Sequence, residues 1–405
     1  MYFISLLFAL LILFYVGLLA AVVAFPELQP YLIYLHWVRW PIVEDWRYAD
    51  AFGFRDGSVR LIRITTPDLK IIGGWHILPT ELNLMVSPES DIARGASYLE
   101  PELNKSERFD NQLKRAVRVF LYFHGNAGNR ATFSRPDFYK QLTAVHQGSH
   151  VVTIDYRGFG DSERVTPTEA GMQQDAHAAY KWIVDHGVDP SRIIVVGHSL
   201  GTGVATWLCR TLADRGEAVG GLILLAPYKS IPDAALTYPI VPFLWPFRGY
   251  PQVGKLFKEY VSQKWDSTVN IRSINCPLLI VHGGRDFEIP TDHSRTLFLN
   301  AVNGRLAHQK SQPEPLNIHP AEPQVVGDYE IRPISGGREA YLWTLNETQT
   351  PLKESSMPDQ TQRSSGVKQS SLVWYIEVTY GGHNNLHKFE IVKDGIAGWA
   401  QSHRI

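Results

Sequence analysis

Short apolar runs rich in β-branched residues recur through the central part of the chain, and most are separated by segments of helical length. Such alternation is typical of parallel strands that helices cover on both faces of a sheet. Two earlier runs, at 59–66 and 69–77, predict antiparallel strands ahead of this unit. The pattern therefore predicts an α/β fold with a doubly wound, mostly parallel sheet. Its predicted core strands are residues 117–123, 150–156, 193–196, 221–225, 278–282 and 372–380.

The clearest predicted helix begins near Pro167 and Glu169 and ends at Gly187, since glycine favours the residue that follows a helix. Two stretches interrupt the alternation. Residues 228–270 combine five prolines with several aromatic residues, which predicts a small apolar cap over the sheet or, alternatively, a surface excursion. Residues 307–371 are rich in Pro, Gln, Ser and Glu and have no sustained period, so we expect a long insertion that is irregular or disordered.

The amino-terminal segment has a different character. No charged side chain precedes Glu27, and residues 3–25 are almost wholly apolar, which is the length that a membrane-spanning helix needs. A cleaved signal peptide has a shorter apolar core behind basic residues, and a buried helix is the other alternative. We therefore predict a transmembrane anchor at 1–25. Residues 26–58 are interpreted as an aromatic-rich juxtamembrane linker, either at the headgroup level or packed under the domain.

Composition narrows the possible partners. A net charge of −1 over 405 residues gives no overall attraction to nucleic acid. Cys209 and Cys276 both lie in apolar runs, which indicates buried thiols rather than a disulfide or a zinc site. With no phosphate-binding loop and no metal-ligand spacing among the histidines, we expect neither a cofactor nor a metal.

A candidate nucleophile follows the run at 193–196. Gly197, His198, Ser199, Leu200 and Gly201 form a G-x-S-x-G pattern between that strand and a predicted helix at 202–213. In such a nucleophile elbow the serine occupies a strained turn, and the flanking glycines Gly197 and Gly201 remove clashes that a Cβ would cause. We therefore predict that residues 59–405 form an α/β-hydrolase domain with Ser199 as nucleophile.

The acid and the base of a catalytic triad have candidates in the order that this fold uses, serine, acid, histidine. Asp286 follows the strand at 278–282, and His383 follows the last predicted strand through two glycines. Both are expected at the carboxyl edge of the sheet, where Ser199 lies. His387 is the rival candidate for the base.

Oxyanion donors are expected in the turn after the strand at 117–123 and just after the nucleophile. We predict the amide of Asn126, with Ala127 as the alternative, and the amide of Leu200. His124 and His198 flank these positions and are interpreted as structural.

Five motifs occur along the predicted domain, F-H-G-N-A-G at 123–128, D-Y-R-G-F-G-D-S at 155–162, T-P-T-E-A-G-M at 166–172, G-H-S-L-G-T-G-V-A at 197–205 and C-P-L-L at 276–279. Together they resemble the α/β-hydrolase domain-containing protein 12 family of membrane-anchored serine hydrolases. The resemblance implies a monoacylglycerol or lysophosphatidylserine lipase with one amino-terminal membrane helix and a luminal or extracytosolic catalytic domain. It also supports Ser199, Asp286 and His383 as the triad. The insertion at 307–371 has no counterpart in it.

We therefore expect a membrane-anchored enzyme that cleaves the acyl ester of monoacylglycerols or lysophospholipids through an acyl-enzyme on Ser199. Its partners would be the lipid substrate and the bilayer. A protein depalmitoylase and an inactive membrane scaffold are the alternatives. Sequons at Asn104 and Asn346 favour a luminal domain of the endoplasmic reticulum, whereas Arg39 and Arg47 favour the cytosolic side.

Overall fold

The computed structural model describes most of the chain after residue 24. The described residues are 24–41, 46, 48–84, 107–132, 134–237, 251–307, 324–326, 329–335, 339–347 and 373–403, with the isolated positions 6, 10, 13, 14 and 17. Among them, no helix combines the length and the apolar character needed to cross a bilayer. Most of the predicted anchor at 1–25 lies outside the described residues.

One twisted sheet organises the molecule. Its strands lie in the order β1-β2-β4-β3-β5-β6-β7-β11-β10-β9-β8, and the six from β4 to β11 run parallel. The predicted α/β fold with a mostly parallel, doubly wound sheet is confirmed. The strands are β1 (Val59–Thr65), β2 (Ile71–Ile77), β3 (Arg118–Phe123), β4 (Ser149–Ile154), β5 (Ile193–His198), β6 (Gly221–Leu225), β7 (Leu278–Gly283), β8 (Gln324–Val326), β9 (Tyr329–Ser335), β10 (Ala340–Glu347) and β11 (Val373–Val378).

Helices cover both faces of this sheet. They are α1 (Gln29–Tyr34), α2 (Thr80–Leu84), α3 (Glu107–Lys114), α4 (Arg135–Ala144), α5 (Glu169–Asp185), α6 (Leu200–Asp214), α7 (Ile231–Thr237), α8 (Pro251–Tyr260), α9 (Ser267–Asn270), α10 (Asp292–Ala307) and α11 (Glu390–Ser402). Side chains of α5, α6 and α10 join one apolar core, and those of α4 and α11 join the other.

Strand β5 illustrates why the apolar runs are continuous. Ile193 and Val195 enter the core of α5 and α6, whereas Ile194 and Val196 enter the opposite core. Successive side chains of a strand point to opposite faces, so a strand covered on both faces is apolar at every position. The burial of this sheet centre fixes the carboxyl ends of β3, β5 and β7. These ends lead into the turns that carry Asn126, Ser199 and Asp286.

The predicted long irregular insertion needs a correction. In the described part of 307–371, the chain forms β8, β9 and β10, and β10 pairs antiparallel with β11. Trp343 of β10 is buried and stacks on Tyr375 of β11, with ring centroids 5.0 Å apart. The free backbone edge of β11 and this aromatic contact favour a sheet extension that the polar composition did not predict.

The region predicted as a cap, 228–270, contains α7, α8 and α9 in its described part, and α7 packs against α8. Phe243, Trp245 and Phe247 lie outside the described residues. Trp265 is fully buried in the core beneath α6 and does not line the cavity described below. Both cysteines are buried free thiols, as predicted.

Candidate active site

Ser199 lies on the tight turn between β5 and α6. Its backbone has φ 50° and ψ −119°, a conformation that L-residues rarely adopt. A Cβ at Gly197 would collide with the carbonyl of Gly201, and a Cβ at Gly201 would collide with the carbonyl of Phe123. Both glycines are therefore required by close backbone contacts. The turn has the geometry of a nucleophile elbow and directs the Ser199 hydroxyl into an open cavity.

The structure brings Ser199, His383 and Asp286 into one hydrogen-bonded chain. His383 Nε2 lies 2.8 Å from Ser199 Oγ, and His383 Nδ1 lies 2.7 Å from Asp286 Oδ2. The loops that carry the acid and the histidine are joined directly, since the Arg285 amide donates to the Gly381 carbonyl at 2.8 Å. This is the arrangement in which an imidazole can accept the proton of a serine hydroxyl.

Asp286 is held in its charged form. Burial favours the neutral acid, but hydrogen bonds with His282 and His383 together keep the pKa of Asp286 well below its ordinary value. Oδ1 accepts the amides of Glu288 and Ile289 at 2.9 and 2.8 Å, which leaves Oδ2 for the two histidines. A fixed carboxylate of this kind selects the His383 tautomer that carries its proton on Nδ1.

The electrostatics of His383 follow from this partner. Burial lowers the pKa of His383, but the hydrogen bond and charge of Asp286, together with the charge of Glu288, raise it above its ordinary value. Glu288 Oε2 lies 3.8 Å from His383 Nε2. A raised pKa strengthens the imidazole as a base and stabilises the imidazolium that forms when it takes a proton.

The three predicted oxyanion amides differ in their bonding. The Ala127 amide donates to Asn126 Oδ1 at 3.0 Å and to the Tyr34 carbonyl at 3.4 Å. In the described part of the chain, the amides of Asn126 and Leu200 have no acceptor. This difference favours Asn126 over Ala127 as the first donor, with Leu200 as the second.

A cavity of about 200 Å³ opens beside Ser199. Apolar side chains form much of its wall, and polar groups from the neighbouring loops and from α4 complete it. The apolar lining residues are Leu35, Tyr122, Phe138, Leu225 and Leu386, and the polar ones include Ser134, Arg135, Glu288, Asn384 and His387. The cavity therefore offers an apolar surface and charged groups at the same hydroxyl.

Comparison with known proteins identifies the family. The family model of the α/β hydrolase fold matches residues 118–261. Lysophosphatidylserine lipase ABHD12 of Danio rerio is 33% identical over 288 residues, which cover 70% of this chain and 69% of that protein. The protein of the same name from Mus musculus is 33% identical over 295 residues, with coverages of 72% and 68%. This chain belongs to the ABHD12 family.

The predicted resemblance to the ABHD12 family is thus confirmed, and the fold and the family make the chain a carboxylic ester hydrolase. Among solved structures, an alpha-beta hydrolase from Vibrio vulnificus is 20% identical, with a TM-score of 0.49 and coverages of 71% of this chain and 83% of that one.

The other histidines near this ABHD12-family site have different contacts. His198 Nε2 donates to the His383 carbonyl at 2.9 Å, and burial together with the charge of His383 lowers the pKa of His198 to about 3. His124 is fully buried and bonds the Gly125 carbonyl. The ring of His387 packs edge-on against Phe138, and no hydrogen bond joins it to Ser199 among the described residues. His383 is the histidine that contacts the nucleophile.

Sequence reasoning missed Arg135. Its guanidinium donates to the carbonyls of Gly125 and Asn126, both at 3.1 Å, and to those of Ala127 and Asn129. One side chain thus fixes the oxyanion turn through its carbonyl groups and places a positive charge beside it. Its position at the start of α4, directly after the turn, is the sequence feature that could have indicated this role.

His282 was also missed. It is fully buried at the end of β7, where Nε2 lies 3.3 Å from Asp286 Oδ2 and Nδ1 bonds the Ser294 hydroxyl. Its Nε2 lies closer still to the Ile289 carbonyl, at 2.8 Å. His282 therefore secures the turn that presents Asp286.

Proposed function

We propose that this chain is a membrane-anchored serine hydrolase that cleaves the acyl ester of lysophospholipids, with Ser199, His383 and Asp286 as its catalytic triad. The hydrogen-bonded chain from Asp286 to Ser199, beside an apolar cavity, carries the proposal. The substrate class is supported by the relatives whose name is lysophosphatidylserine lipase. Monoacylglycerols, which share the single acyl ester, belong to the same proposal.

In the first half of the reaction, Ser199 Oγ attacks the acyl carbonyl while His383 Nε2 takes its proton. The amides of Asn126 and Leu200 receive the developing oxyanion, and Asp286 stabilises the imidazolium. The tetrahedral intermediate collapses to an acyl-enzyme when His383 returns the proton to the departing glycerol oxygen. Loss of one such oxyanion donor costs about 10²–10³ in rate in other hydrolases.

In the second half, water replaces the alcohol. His383 removes a proton from that water, which attacks the acyl-enzyme and releases the fatty acid with regeneration of Ser199. The acyl chain would lie against Leu35, Phe138 and Leu386. The headgroup would lie toward Arg135, Asn384 and His387, which line the same cavity.

The test is hydrolysis of a lysophospholipid panel by purified full-length protein. Ser199→Ala is expected to lower kcat by more than about 10⁴, because the nucleophile is lost. Ser191→Ala, in the exposed 3₁₀ helix Pro190–Arg192 before β5, is the matched control and should retain full activity. Undiminished hydrolysis by Ser199→Ala would refute the proposed mechanism.

A thioesterase acting on acylated proteins uses the same triad and is the competing outcome. Competition between S-acyl peptides and lysophospholipids at equal concentration separates the two. We expect the lysophospholipid to have at least a tenfold higher kcat/KM. The acyl chain of a single-chain lipid contacts the apolar wall without the entropic cost of ordering a peptide.

Residues 1–25 form the membrane anchor of this proposal, and the catalytic domain is assigned to the lumen of the endoplasmic reticulum. The uncharged apolar sequence before Glu27 supports the anchor, and the sequons at Asn104 and Asn346 support the luminal side. Carbonate extraction of membranes tests the anchor, because an integral protein stays in the pellet.

A further inference from the structure

Residues 25–41 are here named the strap, and its part from residue 33 to residue 40 runs directly across the oxyanion turn. Their carbonyls accept a series of hydrogen bonds from it. Asn126 Nδ2 donates to Ile33 O at 2.7 Å, and the Ala127 amide donates to Tyr34 O. Further along, the Gly128 amide donates to Val38 O at 3.0 Å, Asn129 Nδ2 donates to Trp40 O at 2.7 Å, and the Thr132 hydroxyl also donates to Trp40 O. The strap and the Arg135 guanidinium therefore both hold this turn.

The inner side of the strap is fixed to the domain. Tyr34 is fully buried, and its hydroxyl donates to Gln263 Oε1 at 2.9 Å and accepts from Trp265 Nε1 at 3.0 Å. The Gln29 side chain accepts the Ser262 amide at 2.7 Å. Leu35, with φ 46°, turns the chain at the cavity wall. A displacement of this backbone is therefore transmitted to the groups that surround Ser199.

The outer side of the same segment is apolar and exposed. Trp37 is 60% exposed, and a group of large apolar side chains accompanies it. These are Phe25, Leu28, Tyr31, Leu32 and Trp40. Within 25–41 the only Lys, Arg, Asp or Glu residues are Glu27 and Arg39, which balance in charge. An exposed apolar surface of this kind marks an interaction site rather than ordinary surface.

We infer that the strap docks on the lipid bilayer and that this docking holds the oxyanion turn in its active geometry. Tryptophan and tyrosine prefer the headgroup region of a membrane, and the strap begins where the proposed anchor ends. An anchor at 1–25 would tether the strap to the membrane surface. The inference rests on the proposed anchor and on Ser199 as nucleophile. Binding of a protein partner or of a second copy of the chain to this surface is the alternative that the test distinguishes.

Docking is measured on the full-length protein in phosphatidylcholine nanodiscs whose acyl chains carry bromine, a contact quencher of indole fluorescence. Trp37→Phe/Trp40→Phe is expected to remove most of the bromine-dependent quenching. The matched pair Trp182→Phe/Trp207→Phe, from helices α5 and α6, should leave that quenching in place. Equal losses of quenching in the two pairs would overturn the docking. A co-purifying protein or a second copy of the chain that covers Trp37 and shields it from bromine would overturn it as well.

Coupling to the turn is measured as the rate at which a fluorophosphonate labels Ser199 in nanodiscs. This reaction needs the nucleophile and the oxyanion amides but no lipid substrate, so it reports the strap even if the proposed substrate class is wrong. Leu28→Ser/Leu32→Ser changes only exposed side chains and should slow labelling about five- to tenfold, a fraction of the loss of a whole donor. Melting temperature should stay unchanged.

Val117→Ser is the control, because Val117 is 46% exposed at the opposite, amino end of β3. It should label at the wild-type rate. Wild-type labelling by Leu28→Ser/Leu32→Ser would show that the outer side does not act on the oxyanion turn and would overturn the coupling. Failure of Ser199 itself to label, in wild-type protein with a normal melting temperature, would instead refute the proposed nucleophile.

Discussion

Asp286 serves two parts of the site with its two oxygens. Oδ1 fixes the turn through the amides of Glu288 and Ile289, and Oδ2 faces His383 and His282. The first role is structural and does not require charge, because a neutral amide oxygen accepts the same bonds. The second role requires the negative charge, since it stabilises the protonated form of His383. A substitution that keeps the shape and removes the charge separates the two.

Asp286→Asn is that substitution. Activity requires neutral His383, so kcat/KM of the wild type rises as pH passes upward through the raised pKa of His383. Without the carboxylate this pKa falls, and the inflection moves to lower pH. The plateau should fall by about 10³–10⁴, because the imidazolium and its tautomer lose their partner. A pH profile of kcat/KM on a soluble ester measures both effects, and an unshifted inflection would contradict the assigned role.

Arg135 is expected to act through the turn rather than through the substrate. Arg135→Lys replaces a planar fork that reaches four carbonyls with one ammonium, so the Asn126 amide loses its fixed position. We expect kcat to fall about tenfold on a neutral soluble ester, with KM unchanged. Arg115→Lys, on the exposed surface, should behave as wild type. A change confined to KM for anionic lipids would indicate headgroup binding instead.

At the scale of elements, α6 starts unusually close to β3. Gly201 faces the Phe123 carbonyl so closely that any Cβ collides with backbone, whereas Gly398 in α11 has open space around it. The nucleophile turn therefore depends on the packing between a helix start and the end of a neighbouring strand. The same substitution at the two glycines should have opposite effects.

Gly201→Ala should lower the free energy of unfolding by about 1–3 kcal/mol, since the collision partner is backbone and cannot rotate away. Gly398→Ala should raise it by up to about 1 kcal/mol, because alanine favours a helix interior and meets nothing here. Urea unfolding followed by circular dichroism measures both changes. A stabilising Gly201→Ala would contradict the described contact.

Sequence patterns predicted the elements that local chemistry determines. The helix predicted to begin near Pro167 and Glu169 is α5, and the side chain of its N-cap residue Thr168 accepts the Gly171 amide. Strand β5 extends to His198, beyond the predicted end at 196, because Gly197 and His198 pair with β6. Strands β8 to β10 escaped prediction, since their pairing depends on the edge of β11, which is distant in sequence. Arg135 and His282 were missed for a different reason, since their partners are close in sequence but become visible only once the turns at 125–129 and 283–289 are folded.

At the scale of the whole molecule, the extension of the sheet supports the catalytic histidine. Strand β11 lies between β7 and β10, and its last residue, Val378, accepts the amides of Gly284 and Gly381. The loops of Asp286 and His383 thus share one anchoring carbonyl. The insertion covers an edge that would otherwise be exposed beside the site, so its strands belong to the framework of the domain.

The side of the membrane on which the domain lies is testable through its two sequons. Asn346 lies in β10, and Asn104 lies outside the described residues. If the domain is luminal, glycans are added to the nascent chain before β10 pairs, and glycosidase treatment should increase gel mobility. Asn104→Gln and Asn346→Gln should each reduce that shift, and Asn111→Gln, which lies in no sequon, should not. The opposite result would be a chain without glycans whose domain is digested by protease added outside sealed microsomes. That result would place the site in the cytosol, the side that the basic residues Arg39 and Arg47 favour.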